Sequence, residues 1–160
     1  MPLAALVTLL LSLAAALAEQ ESMFQAMADQ FSADLKAHNS SKIAAWYSER
    51  RMFFGANLLP GPDSVIQNNR NDVAKYWNQI GIDAINIKIR KTSSAPGFGA
   101  GAWVEESDAQ IVTSSIPPRS ITVDRAVIWR SDGGKLRIEE ELLNDMARCT
   151  RHPEGYITCP

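Results

Sequence analysis

The chain has 160 residues, 46% of them hydrophobic and 21% charged, with a formal net charge of −2. Lys and Arg are scattered among the acids, which excludes a nucleic-acid binder, since that function needs a clustered basic face. The length suits one domain with a sizeable core, and no internal repeat or low-complexity segment divides it.

The first element is a run from Leu3 to Leu17 containing only apolar residues, Thr8 and Ser12. At about 15 residues it matches the apolar region of a secretion leader and falls short of a membrane span. It closes on Ala16-Leu17-Ala18, a small-x-small cleavage pattern, and polarity switches at Glu19-Gln20-Glu21. Residues 1–18 are therefore expected to be a signal peptide, and the mature protein to be secreted with no membrane attachment. Its amino end has no Lys or Arg, so only the Met1 amine supplies the positive charge.

From residue 20 to 38 the period is helical, with Met23, Met27, Phe31 and Leu35 in one stripe. Ser40 or Ser41 is expected to cap a short second helix from Lys42 to Ser48 that carries Trp46 and Tyr47. A strand-like piece follows at Met52-Phe53-Phe54, then a Pro/Gly loop at Leu59-Pro60-Gly61-Pro62. Asn71 or Asp72 is expected to cap a third helix that runs to Ile80 and ends at Gly81.

Beyond Gly81 the period becomes two. Ile85, Ile87 and Ile89 alternate with Asn86, Lys88 and Arg90, which predicts a half-buried strand. Further strands are predicted at 98–105, 109–114, 121–130 and 135–143, the last two joined by a hairpin turn at Ser131-Asp132-Gly133-Gly134. Helices followed by a meander of strands read as α+β, with the helices on one face of a curved antiparallel sheet.

Three segments carry a resemblance. They are Phe31 to Tyr47, Asn71 to Trp77, and the hairpin Val127 to Asn144, with its Trp-ended strand, Gly turn and closing Asn. Together they resemble the NTF2-like superfamily, and within it the SnoaL-like and DUF4440 groups. The resemblance implies a cone of three N-terminal helices packed on a curved antiparallel sheet over residues 19–145, with 146–160 as a tail. It also implies a homodimer formed through the open sheet face.

The ketosteroid isomerases of that superfamily need a carboxylate base in the cone and a Tyr on the first helix. In an ungapped reading the Tyr position falls on Phe31 and the base position near Gly55, with no carboxylate between Met52 and Asn57. That chemistry is not expected here. Glu49 is the nearest acid, and its Ser-Glu-Arg-Arg setting suggests solvent.

Strand parity supplies other candidates. Arg125 shares a face with Ile121, Val123, Val127 and Trp129, and Glu140 shares one with Leu136, Ile138 and Leu142. A charge on an apolar face is costly unless paired, so if those faces line the cone Arg125 and Glu140 are expected partners, as a polar anchor in an apolar pocket or a structural ion pair; the alternative is a face exposed at the sheet edge. Trp46, Tyr47, Phe54, Tyr76, Trp77, Trp103 and Trp129 are candidates for pocket lining or plain core. Glu139-Glu140-Glu141 is expected to be a solvated edge, because consecutive strand residues face opposite ways. His38 and His152 are expected at the surface.

Cys149 and Cys159 flank a turn-forming segment. In an oxidising compartment they read as one disulfide closing a C-terminal loop, worth roughly 2–3 kcal/mol. With His152 they are too few for a closed zinc site, and no metal or cofactor is expected. Asn39-Ser40-Ser41 is a glycosylation sequon. Three functions stay open: a secreted module that binds a small apolar ligand or acts as a non-catalytic dimer; a SnoaL-like isomerase, dehydratase or hydrolase; and a structural component of the extracellular matrix.

Overall fold

The computed structural model describes residues 3–50, 52–58, 65–115, 117–148, 150–151 and 157–158. The expected Pro/Gly loop at 59–62, Cys149, His152 and Cys159 lie outside them.

The first helix, α1, runs without interruption over Leu3–Lys36. Its buried face is Phe24, Ala28, Phe31 and Leu35, spaced by three or four residues so that they stack on one side. Met27 packs partly against the core, while Met23 is exposed. His38 ends the helix with a left-handed backbone (φ 51°), and its N–H donates to the Leu35 carbonyl at 3.0 Å.

The second helix, α2, spans only Ser40–Ala45. Its cap is Asn39, whose Oδ1 accepts from the Lys42 backbone N–H at 3.1 Å. Trp46 is the C-cap, and Tyr47 leaves the helix to form a parallel bridge with Ile138. The expected helix to Ser48 is therefore cut short, because Ser48 N–H and Trp46 C=O bond to Ile138 instead. The third helix, α3, spans Arg70–Ile80. Asn69 caps it, accepting from Asn71 N–H at 2.8 Å, two residues ahead of the expected Asn71. Gly81 ends it in the left-handed region, as expected.

Six strands form one curved sheet in the order β2-β1-β6-β5-β4-β3. They are β1 (Phe53–Ala56), β2 (Val65–Gln67), β3 (Ile82–Ser94), β4 (Ala102–Thr113), β5 (Ser120–Asp132) and β6 (Lys135–Asp145). The predicted strands at 98–105 and 109–114 are one strand, β4, preceded by a 3-10 turn at Pro96–Phe98. β2 was not predicted. The sheet is antiparallel except where β1 lies parallel to β6, a departure from the all-antiparallel expectation. Two short strands, β7 (Thr150–Arg151) and β8 (Ile157–Thr158), pair in the tail.

The helices cover the concave face, and buried side chains pack the space between. Phe24, Phe31, Tyr47, Phe54, Tyr76, Trp77 and Trp129 are all buried in one cluster. Their rings meet mostly edge to face, as in Phe31–Trp77 at 6.1 Å and Phe54–Tyr76 at 5.2 Å. Each fully buried aromatic of this kind contributes about 1.5–3 kcal/mol by transfer from water, with a further gain from ring geometry.

Candidate functional site

The concave face of β5 alternates Ile121, Val123, Arg125, Val127 and Trp129, all buried. Arg125 sits in the middle of this row with 1% exposure. Two carboxylates hold it. Arg125 Nε donates to Glu141 Oε1 at 2.6 Å, and Arg125 Nη1 donates to Glu105 Oε1.

The carboxylates are in turn fully bonded. Ser107 Oγ donates to Glu105 Oε1 at 2.8 Å, and Trp129 Nε1 donates to Glu105 Oε2 at 2.7 Å. Tyr47 OH donates to Glu141 Oε2, while Trp77 Nε1 donates to the Tyr47 oxygen at 2.9 Å. The guanidinium carbon lies 5.4 Å from the centre of the Phe31 ring, within cation–π range. Arg125 Nη2 is buried without a hydrogen-bond partner among the described residues.

Burial pushes the Arg125 pKa down, but Glu105 and Glu141 more than reverse this, so the group stays charged. Burial raises the Tyr47 phenol well above its usual value, and the charge of Glu141 raises it further. The cluster is thus one cation between two acids, with neutral donors closing its outer sides. It has the make-up of a structural ion network. Among the described residues, hollows of ≈ 140 to ≈ 390 Å³ open to solvent elsewhere on the surface, lined by residues other than Glu105, Arg125 and Glu141.

No family model matches the chain, and no curated protein matches it in sequence. Solved structures do match its shape. An NTF2-like protein with a cystatin-like fold from Novosphingobium aromaticivorans has a TM-score of 0.61 at 9% identity, covering 85% of this chain and 88% of that one. A protein of the NTF2-like family from Streptomyces avermitilis, provisionally assigned as a dehydratase, has a TM-score of 0.54 at 8% identity, covering 72% and 88%. A Xanthomonas campestris protein provisionally assigned as a calcium/calmodulin dependent protein kinase II association domain has a TM-score of 0.60 at 15% identity, covering 76% and 84%.

The chain has the NTF2-like fold. Identities this low establish the architecture and leave the chemistry to the residues.

Within the NTF2-like cone, the expected partner of Arg125 needs correction. Glu140 is only half-buried and points to the convex face, whereas Glu141 is the buried acid. The reason is a register shift on β6: Ile128 pairs with Glu140, but Trp129 pairs with Ile138. Glu139 is the extra residue, and a bulge inverts the parity of everything beyond it. Leu142, expected inside with Leu136 and Ile138, is therefore 44% exposed, and Leu143 takes its place in the core.

The expected solvated edge at 139–141 is also overturned. Glu139 is buried and pairs with Arg130 Nε at 2.6 Å, on the side opposite Glu141.

Glu105 was not anticipated. Splitting β4 into two pieces hid its shared face with Ser107, Ala109 and Ile111.

Of the aromatic candidates, Tyr47, Phe54, Tyr76, Trp77 and Trp129 are buried core. Trp46 and Trp103 are half-buried against it, and Trp46 Nε1 donates to Asp34 Oδ2 at 2.9 Å. Phe31 packs inside the core, and Gly55 lies on the convex face of β1, where Leu142 Cδ2 crosses it. Glu49 is exposed and pairs with Arg70 at 2.6 Å. Asn39 is exposed with its Oδ1 committed to the α2 cap.

Proposed function

We propose that this protein is a secreted, non-catalytic NTF2-like module that pairs with a second copy through the convex face of its sheet. The observation that carries this reading is the filled cone. Aromatic rings and the Glu105–Arg125–Glu141 network occupy the space where a relative with pocket chemistry would admit a substrate. Function is then left to the surface.

The convex face supports self-association. Gly55, Ile66, Leu142 and Ala126 align in one row across β2, β1, β6 and β5, and the next row is Phe53, Glu140, Ile128 and Val104. Ile66 is 61% exposed. The first of these rows is apolar throughout, and an apolar row on an exposed sheet face marks an interaction surface. A similar fold in a protein provisionally assigned as an association domain agrees with such a use.

Secretion is supported by α1. Its described side chains from Ser12 to Glu19 are exposed, and its buried face starts only at Phe24. The described leader side chains, Ser12 and Ala14 to Ala18, therefore lie outside the core that cleavage after Ala18 would leave. Among the described residues, no helix is long and apolar enough to cross a membrane.

Sedimentation equilibrium tests the dimer. The wild-type protein should fit a dimer, and Leu142→Arg combined with Ile66→Arg should fit a monomer with an unchanged circular dichroism spectrum. A monomeric wild type sinks the reading.

A second reading, binding of a small ligand, is favoured by one atom, the unpartnered Nη2 of Arg125. Native mass spectrometry of the purified protein separates the two readings, since a co-purifying small molecule lost on Arg125→Met supports the second.

A further inference from the structure

Among the described residues, the sheet ends at β2 on one side and at β3 on the other. β2 is three residues long and offers little to another chain, but β3 is thirteen residues long. A long edge presents a row of unpaired N–H and C=O groups, and other strands add to such rows.

α1 lies along β3, and Gln25 reaches from it to the strand backbone. Gln25 Nε2 donates to the Ile87 carbonyl at 2.8 Å. Gln25 Oε1 accepts from the Ile89 backbone N–H at 3.2 Å. The second Nε2 proton goes to Asp29 Oδ1 at 2.9 Å, one helical turn further on.

Chemistry fixes which end of the amide faces which group. A carbonyl and a carboxylate can only accept, so the NH2 must face Ile87 and Asp29, and the oxygen is left for the Ile89 N–H. The carboxamide thus stands where the N–H and C=O of an added strand would stand. Gln20 Nε2, donating to Thr92 Oγ1 at 3.0 Å, ties the same helix to the same strand further along.

We infer that Gln25 is an edge guard, with Asp29 as its positioning residue, and that the partner it excludes is the β3 edge of a second copy. The guard occupies two consecutive outward-facing positions at the middle of the strand, Ile87 and Ile89, so no continuous ladder can form past it. Self-association is thereby steered away from edge pairing, which would propagate, and toward a face, which closes on itself. Only this steering rests on the convex-face reading. The guard itself does not.

The test uses the full chain. Amide hydrogen exchange followed by NMR should show the Ile89 N–H exchanging about tenfold faster in Gln25→Met, with Val127 in the sheet centre unchanged. Asp29→Ala should produce a smaller rise at the same amide. Sedimentation should then detect larger species in Gln25→Met/Leu142→Arg that Leu142→Arg alone does not form.

If Gln25→Met does not fold, Gln25→Ala replaces it, because it removes both the donor to the Ile87 carbonyl and the acceptor of the Ile89 N–H. Unchanged exchange at Ile89 overturns the guard. Faster exchange without larger species overturns it as well, since an open edge that recruits nothing needed no guard. A monomeric wild type is a separate result, counting against the convex-face dimer and leaving the exchange at Ile89 as it was.

Discussion

Arg125 on β5 and Glu141 on β6 meet at 2.6 Å although their strands align Arg125 with Leu143 and Glu141 with Val127. The contact is diagonal across the inner face, and it is available only because the bulge at Glu139 turns Glu141 inward. With Glu105 arriving from β4, three neighbouring strands are tied at one point inside the core.

Such a network is costly to break by halves. Arg125→Met leaves two buried carboxylates facing each other without a cation, and should destabilise the fold by about 3–5 kcal/mol. Replacing all three partners at once, as Glu105→Gln/Arg125→Met/Glu141→Gln, removes the buried charge and should recover most of that loss. Urea unfolding of the single and triple variants measures it. A triple variant no more stable than Arg125→Met would show that the network contributes more than its charges.

The bulge makes a sharper claim about neighbouring residues. Glu140→Ala should change stability by no more than about 0.5 kcal/mol, since that side chain is half-exposed and makes no ion pair with the described residues. Glu141→Ala should cost about 3 kcal/mol or more, because it strands Arg125 Nε and the Tyr47 hydroxyl in the core. The reverse ranking in thermal unfolding would mean that Glu139 is not the bulged residue.

Much of this architecture was legible because it follows from periodicity. Val73, Tyr76, Trp77 and Ile80 mark one face of α3, and the alternation around Ile87 marks β3, so both elements were found. Arg125 was found because β5 keeps its period from Ile121 to Trp129 without a slip. Glu141 was missed because a bulge has no signature in a Glu-Glu-Glu run, where any one of the three residues could be the extra one. Glu105 was missed because β4 is polar at Glu105 and Ser107, where an inward apolar residue would have shown the parity. The parallel pairing of β1 with β6 is a long-range contact that no local pattern encodes.

The C-cap of α3 gives a local test. Gly81 has φ 63°, and a Cβ there would stand 2.6 Å from Ser114 Oγ. Ser114 is held in place, since its N–H donates to the Gly81 carbonyl at 2.8 Å. Gly81→Ala should therefore cost about 1–2 kcal/mol in strain, plus the displacement of Ser114. The double variant Gly81→Ala/Ser114→Gly should regain part of it in urea titration, and an additive result would place the whole cost in the backbone.

The last expectation concerns alkaline pH. Burial, then the charge of Glu141, holds the Tyr47 phenol well above the ordinary tyrosine value of 10.0. In the unfolded chain the same phenol ionises near 10.0, so above that pH the unfolded state binds fewer protons than the folded one. Stability must then fall as pH rises, by about 1.4 kcal/mol per unit, from the unfolded pKa up to the folded one. Below pH 10 the contribution of Tyr47 is fully present and flat.

Tyr47→Phe removes the titration while also leaving Glu141 Oε2 and Trp77 Nε1 without their partner, so its stability should be lower at neutral pH by about 1–3 kcal/mol. Its alkaline slope should nevertheless be shallower than that of the wild type, and the two curves should converge above pH 10. Urea midpoints taken from about pH 8 to about pH 11 provide the comparison. Parallel curves would mean that Tyr47 titrates alike in both states, and that the contact with Glu141 does not hold its proton.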